Sequence, residues 1–127
     1  MSFVNERTSI ENRLETLWNT TAIHWDNVSF TEPASKTWIK CNILNANSTY
    51  RAIDSKKKHI GLIILQIFVP INSGTAVVRG YADSLAAIFE NQNFDDVVCG
   101  IASIEKVGIN TVSYQINVKI PYRRDEP

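Results

Sequence analysis

The chain has 127 residues, 44% of them hydrophobic and 20% charged, and its 13 basic residues balance its 13 acidic ones. This is the size and composition of one globular domain rather than of a disordered or membrane protein. The zero net charge gives no whole-chain attraction to a nucleic acid or an anionic membrane, and it permits copies of the chain to associate. The N-terminal residues lack the apolar block of a signal peptide.

The N-terminal segment predicts a surface helix from about residue 3 to residue 20, capped by Ser2. Its apolar residues recur at helical spacing: Phe3, Ile10, Leu14 and Leu17. Residues 22–25 are predicted to be extended, and residues 26–37 form a loop rich in turn formers. Residues 38–44 then alternate between apolar and polar side chains, as a half-buried strand does.

Residues 45–58 are predicted to form a polar, mobile loop, because Asn, Ser, Thr and Lys predominate there. Its basic residues are candidates for contact with a polyanion such as DNA: Arg51, Lys56, Lys57 and Lys58. In the alternative interpretation, the lysines only protect the apolar strand that follows from aggregation. The sequence leaves both interpretations open.

The stretch from residue 59 to residue 70 is the most apolar of the chain, with Gln66 as its one polar member inside the strand. Alternate residues of a strand face opposite sides, and both sides are apolar here. Two helices on one side of a sheet cannot cover both faces, so one face is predicted to meet a partner, most simply a second copy. The candidate interface residues on that face are Ile63, Leu65, Ile67 and Val69.

The C-terminal half predicts a second helix, capped by Asn72 or Ser73 and continuing to about residue 91. Four further segments follow: a strand at 97–106, a hairpin turn at 108–110, a strictly alternating strand at 112–120 and a frayed, charged tail at 123–127. Together the elements predict a single α+β domain over residues 1–127. Its antiparallel or mixed sheet has about four strands, with two helices packed on one face.

The sequence shows no pattern for catalytic, cofactor or metal chemistry. The two histidines, His24 and His59, stand in no ligand or triad spacing, and no Gly-rich phosphate loop or Cys-x-x-Cys motif occurs. Cys41 and Cys99 are predicted to be buried free thiols, and a disulfide would need their strands to be neighbours. We therefore expect no enzyme activity, no cofactor and no metal site.

Several short motifs occur in a defined order over most of the chain. After the N-terminal helix come Ile23-His-Trp-Asp-Asn-Val-Ser-Phe30, Pro33, and the segments 37–39, 61–70, 74–75, 82–83, 85–89, 114–115 and 118–122. None of them is a chemical signature. In this order and spacing they resemble the small tail-terminator-like proteins of long-tailed bacteriophages.

This resemblance implies a non-enzymatic assembly protein that forms a ring, commonly a hexamer, on the finished tail tube. The ring stops tube polymerisation and offers a docking surface to the head connector, and the genome passes through its hole. The implied partners are the chain itself, the tail tube protein and the head-connector protein, without a membrane. The implied location is the head-proximal end of the virion tail, after assembly in the host cytoplasm.

Arg51, Lys56, Lys57 and Lys58 match no pattern of that family and are candidates for non-specific contact with DNA in the lumen on their charge alone. Two other classes of protein stay open. A head–tail joining protein of the neck would share the fold class and the ring. A small ligand-binding domain would need convergent polar groups in a pocket, and no such cluster is evident.

Overall fold

A computed structural model describes residues 2–33, 36–50, 57–109 and 113–126 of the chain. Within them lie two helices and one curled, mixed sheet of seven strands. The elements are α1 (Phe3–Leu17), β1 (Ala22–Trp25), β2 (Trp38–Tyr50), β3 (Lys57–Pro70), α2 (Ala76–Phe89), β4 (Asn93–Phe94), β5 (Val97–Cys99), β6 (Ser103–Ile109) and β7 (Ser113–Glu126). The α+β class is confirmed. The sheet exceeds the predicted four strands because β1, β4 and β5 are short additions of four, two and three residues.

The sheet is organised around β3 and β7, which pair antiparallel along their whole length. On one side, β2 pairs antiparallel with β3, and β1 pairs parallel with β2. On the other side, β7 pairs with β6 along its first half and with β5 along its second half, and β4 pairs with β5. The order across the sheet is β1-β2-β3-β7-β5-β4, with β6 beside the first half of β7.

Helix α1 begins where the sequence predicts. The Ser2 side chain accepts a hydrogen bond of 3.1 Å from the Asn5 backbone N–H, which satisfies one of the free donors of the first turn. The helix ends at Leu17, earlier than predicted, and the extended Trp18 is its C-cap. The β-branched Thr20 and Thr21 that follow disfavour a further turn.

Helix α2 begins at Ala76, and its N-cap is Thr75 rather than Asn72 or Ser73. The Ser73 hydroxyl donates a 2.7 Å hydrogen bond to the Pro70 carbonyl oxygen instead, which closes the turn after β3. Serine and asparagine favour turns and helix caps for the same reason, namely their short hydrogen-bonding side chains. The cap was therefore predicted at the turn that precedes the true helix start.

Both helices pack on one face of the sheet, as predicted, and share one apolar core with it. The helices contribute Ile10, Leu14, Trp18, Val78, Ala82, Leu85, Ile88 and Phe89 to this core. The sheet contributes mainly Ile39, Cys41, Ile63, Leu65, Ile67, Val69, Ile116, Val118 and Ile120. The opposite face of the sheet, which no described helix covers, is called the open face below.

The sheet also includes polar segments that were predicted to be irregular. Of the predicted loop at residues 45–58, Asn45–Tyr50 belongs to β2 and residues 57–58 to β3, and a bulge lies between Asn45 and Asn47. Residues 51–56 lie outside the described part. Of the predicted frayed tail, residues 123–126 belong to β7 and pair with β3. Asn, Ser and Asp have low strand propensity, and here the backbone ladder to residues 57–61 at the start of β3 overrides it.

Candidate interaction surfaces

The four candidate interface residues of β3 lie in the monomer core beneath the helices. Ile63, Leu65 and Ile67 are 0% exposed and Val69 is 2% exposed. Their cross-strand neighbours on the same face include Ile116, Val118 and Ile120 of β7. Side chains buried in this way offer no area to a neighbouring subunit, so the candidate interface moves away from this face.

The other side of β3 belongs to the open face and is only partly buried. It carries Leu62, Ile64, Gln66 and Phe68. The side chains beside them are largely amides: Asn42 Nδ2 donates to Gln66 Oε1 at 3.0 Å, and Gln115 donates to Asn117 at 2.8 Å. Gln115 and Asn117 are each only 8% exposed, so the middle of the open face is a partly covered mixture of apolar and amide side chains. This face was predicted to be the core side of the strand.

An aromatic cluster occupies one end of the open face. Trp38 of β2 stacks on Phe68 of β3 with ring centroids 4.0 Å apart. Phe30 lies 5.0 Å from Trp38 and stacks on His24 at 4.8 Å. His24 Nε2 also donates to the Val28 carbonyl oxygen at 3.0 Å. The cluster holds the loop after β1 onto the sheet.

A groove of about 280 Å³ crosses the opposite end of the open face. Its apolar lining includes Ile60, Val98 and Pro121, and the basic Lys58 and Arg123 also line it. Leu44 lies nearby on the same face, because it pairs with Leu62 at the next position of the ladder, and it is exposed. An apolar floor with a basic rim is the kind of surface that a protein partner covers.

Two of the four basic candidates can be placed. Lys57 is exposed and Lys58 half-buried at the start of β3, whereas Arg51 and Lys56 lie outside the described residues. In the ladder, Lys57 is opposite Glu126 and Lys58 is opposite Asp125 of β7. The acidic Asp125 is thus directly opposite Lys58 at this end of the sheet, and the local charge is mixed.

A cluster of exposed apolar residues lies on β6 and just before it. The exposed fractions are 72% for Ile101, 43% for Ile104, 49% for Val107 and 68% for Ile109. Within the described residues, β6 pairs with β7 alone, so its other edge is open. This edge was not predicted, because the pattern of residues 97–106 indicated one continuous strand. Gly100 and Ala102 instead separate β5 from β6, and the Gly100 N–H donates to the Pro121 carbonyl oxygen at 2.8 Å.

A buried polar network joins the first helix to the last strand. Arg124, 0% exposed, lies 3.1 Å from Glu6, which is 2% exposed. The other Glu6 oxygen accepts from the Tyr122 hydroxyl at 3.1 Å and from Asn45 Nδ2 at 3.0 Å. Burial, reinforced by the Glu6 charge, raises the pKa of Tyr122. Three donors surround one carboxylate, so this is a structural anchor for α1.

The two cysteines are free and buried, as predicted. Cys41 is in β2 and Cys99 in β5, and β3 and β7 lie between these strands. Burial raises the pKa of the Cys41 thiol to about 12 and that of Cys99 to about 11. Both thiols are therefore protonated and unreactive in the folded chain near neutral pH.

Neither a metal centre nor a membrane span is present in residues 2–33, 36–50, 57–109 and 113–126. In these ranges, no three His, Cys, Asp or Glu side chains are grouped as a metal ion would require. No helix in them has the length and apolar character needed to cross a membrane.

Known proteins share both the fold and the sequence pattern of this chain. A solved protein structure superposes with a TM-score of 0.75 at 20% sequence identity, over 98% of this chain and 96% of that one. This likeness shows a shared fold, a small α+β domain with a curled sheet. No curated protein sequence matches. A family model described as phage tail terminator protein matches residues 7–122, and the chain belongs to that family.

Proposed function

We propose that copies of this chain form a ring, a hexamer as is common in such families, which caps the finished tail tube of a long-tailed bacteriophage. The ring stops tube polymerisation and gives the head connector a surface on which to dock. The observation that carries this proposal is the family match, which spans residues 7–122 and so includes most of α1, all of α2 and nearly every strand of the domain.

The surface of the monomer supports self-association. The aliphatic side chains at 101, 104, 107 and 109 leave an apolar strip in solvent around an open strand edge. Soluble monomers avoid such edges because they are templates for pairing with another chain. A ring would remove the edges from solvent, and the zero net charge of the chain opposes no such assembly.

The proposed role is structural, not enzymatic, and it places the protein at the head-proximal end of the virion tail after assembly in the host cytoplasm. Its partners would be the tail tube protein on one side and the head-connector protein on the other. The genome would pass through the hole. Lys57 and Lys58 could contact phosphates there without reading the base sequence.

The test begins with the purified protein, alone and with preformed tail tubes. Light scattering after size exclusion gives the subunit number, and negative-stain images should show rings with a pore wide enough for duplex DNA. Tube protein polymerised in the presence of rings should give short tubes with one ring at an end. Tubes of unchanged length without bound rings would overturn the capping role. Capture of the protein by the head connector, without capture by the tube, would favour a head–tail joining protein instead.

A further inference from the structure

The sheet has two open edges, β1 and β6, that are connected by four rows. A row is a series of residues that pair side by side across the neighbouring strands. One row runs through five strands as Ile23, Ile39, Ile67, Ile116 and Lys106. The other three residues of β1 begin similar rows, so that Ala22 leads to Gly108, His24 to Glu105 and Trp25 to Ile104. Every residue of β1 is thus matched, across the sheet, by a residue of β6.

Both strands present a free edge at the ends of these rows. Within the described residues, β1 pairs only with β2, and β6 pairs only with β7. Each outer edge therefore has backbone N–H and C=O groups without a strand partner. On β6 the edge is flanked by the exposed Ile104 and Ile109, and on β1 by the exposed Val28 just after the strand.

The strand directions suit a head-to-tail contact. β1 runs parallel to β2, and each of the next three pairings in the row is antiparallel, so β1 and β6 run in opposite directions. Rotation about a ring axis roughly along the strands preserves these directions. It brings β6 of one copy beside β1 of the next in antiparallel orientation, the more stable ladder.

The surrounding charges agree with this arrangement. The exposed Asp26, Glu32 and Lys36 follow β1 and together leave one net negative charge there, and the exposed Lys106 lies in β6. Glu105 of β6 is neutralised within its own chain by Lys119 at 2.6 Å. The β1 side of a copy is therefore acidic and the β6 side has a spare basic residue, so unlike edges attract and like edges do not.

We propose that β6 of each subunit pairs antiparallel with β1 of the next, so that the ring is closed by one continuous sheet. The occupant of each free edge is thus a second copy of this chain. The contact is heterologous, because one patch meets a different patch, and such contacts generate closed rings. Closure leaves neither edge of these rows unpaired. The inference rests on the ring of the proposed function and specifies its interface.

The first test changes the apolar flank of β6. Ile104→Asp combined with Ile109→Asp should leave the fold unchanged, because both side chains are already exposed at 43% and 68%. The new charges repel the acidic β1 side of the neighbour, so the double variant should elute as a monomer with the circular dichroism of the wild type. The matched control is Val77→Asp on α2, 53% exposed in the monomer, which should keep the ring. A ring that persists in the double variant, or equal dissociation of the control, overturns the edge pairing.

The second test links the two edges covalently. Ile23→Cys and Lys106→Cys in one chain, which end the same row and so face the same side of the sheet, should give a ladder of covalent multiples that ends at the ring number when treated with a short bismaleimide. Each single variant should give no ladder. The native Cys41 and Cys99 are only 2% and 4% exposed, and the single variants also control for reaction at their thiols. If the wild type forms intact rings but the double variant gives no ladder, the edge pairing is wrong and the proposed ring still stands. A wild type that stays monomeric, both free and with tail tubes, overturns the proposed ring itself.

Discussion

Replacing Glu6 by Ala should be among the most destabilising single changes in α1. Arg124 is 0% exposed, and Glu6 is its anionic partner at 3.1 Å. The substitution leaves a buried guanidinium without that partner, and breaking a buried pair from one side costs about 3–5 kcal/mol. It also removes the acceptor of the Tyr122 hydroxyl and of the Asn45 amide. A loss of this size is a large part of the roughly 5–15 kcal/mol that stabilises a typical domain.

The matched control is an ion pair on the solvent side of the same helix. Arg7 lies 4.0 Å from Glu11, with 62% of its side chain exposed, so Arg7→Ala should cost at most about 0.5 kcal/mol. Urea denaturation followed by circular dichroism measures both variants, at a protein concentration where the wild type is monomeric. The expected order is wild type, then Arg7→Ala, then Glu6→Ala far below.

A double variant separates the charge from the packing. Glu6→Leu with Arg124→Met removes both buried charges and keeps apolar volume, so it should recover much of the stability lost in Glu6→Ala. The anchoring role is refuted if Glu6→Ala is as stable as Arg7→Ala. It is equally refuted if the double variant is less stable than Glu6→Ala, because then the loss of the Glu6 charge was not the cause of the destabilisation.

Three further predictions concern single sites. Gly61→Ala should lower the free energy of unfolding by about 1–3 kcal/mol, because the new methyl group would overlap the side chain of Tyr122. Gly80→Ala in α2 has open space around it and should instead raise the free energy of unfolding by about 1 kcal/mol. Burial raises the pKa of Cys41 to about 12 from 9.0, so the folded thiol holds its proton more tightly than the unfolded one. The stability that the protonated Cys41 contributes is complete below pH 9 and is lost as the pH rises toward 12. Over that range, the urea midpoint of Cys41→Ala should therefore fall less steeply with pH than that of the wild type. Equal slopes for the two proteins contradict this. Replacing Lys57 and Lys58 by Gln should reduce the salt dependence of DNA binding by the rings, by about one unit of slope for each phosphate that is no longer neutralised; an unchanged slope would leave protection from aggregation as their role.

The sequence predicted β3 well but could not assign its two faces. Ile, Leu, Phe and Val occur on both sides of the strand, so its own pattern does not distinguish them. The distinction comes from the neighbours: Ile116 and Val118 lie beside one face, whereas Gln115 and Asn117 lie beside the other. The alternation of β7 was recognised in the sequence. The register between β7 and β3 places the polar side of β7 next to Gln66. This register depends on tertiary structure and was not available from the sequence.

The anchor between Glu6 and Arg124 could not be found from local patterns, since 118 residues separate the two. A glutamate in the first turn of an amphipathic helix and an arginine near the chain end are each typical of solvated positions. The same reasoning made residues 123–127 a frayed tail. Pairing of β7 with the start of β3 brings Arg124 under α1, and this long-range contact overrides the local composition.

A ring closed through β1 and β6 would use the sides of each subunit and leave the two strand ends free for axial partners. These ends differ chemically. The groove beside Ile60 is bordered by Lys58 and Arg123, whereas a pocket of about 170 Å³ at the other end of β3 is lined only by uncharged residues from the turn after Pro70, with Ile109 and Tyr114. Attraction to the first end would weaken with salt, and attraction to the second would not. Because the two ends of such a ring differ, one end can bind only the tube and the other only the connector, so the ring would dock in a single orientation. The two docking steps should therefore differ in their salt dependence.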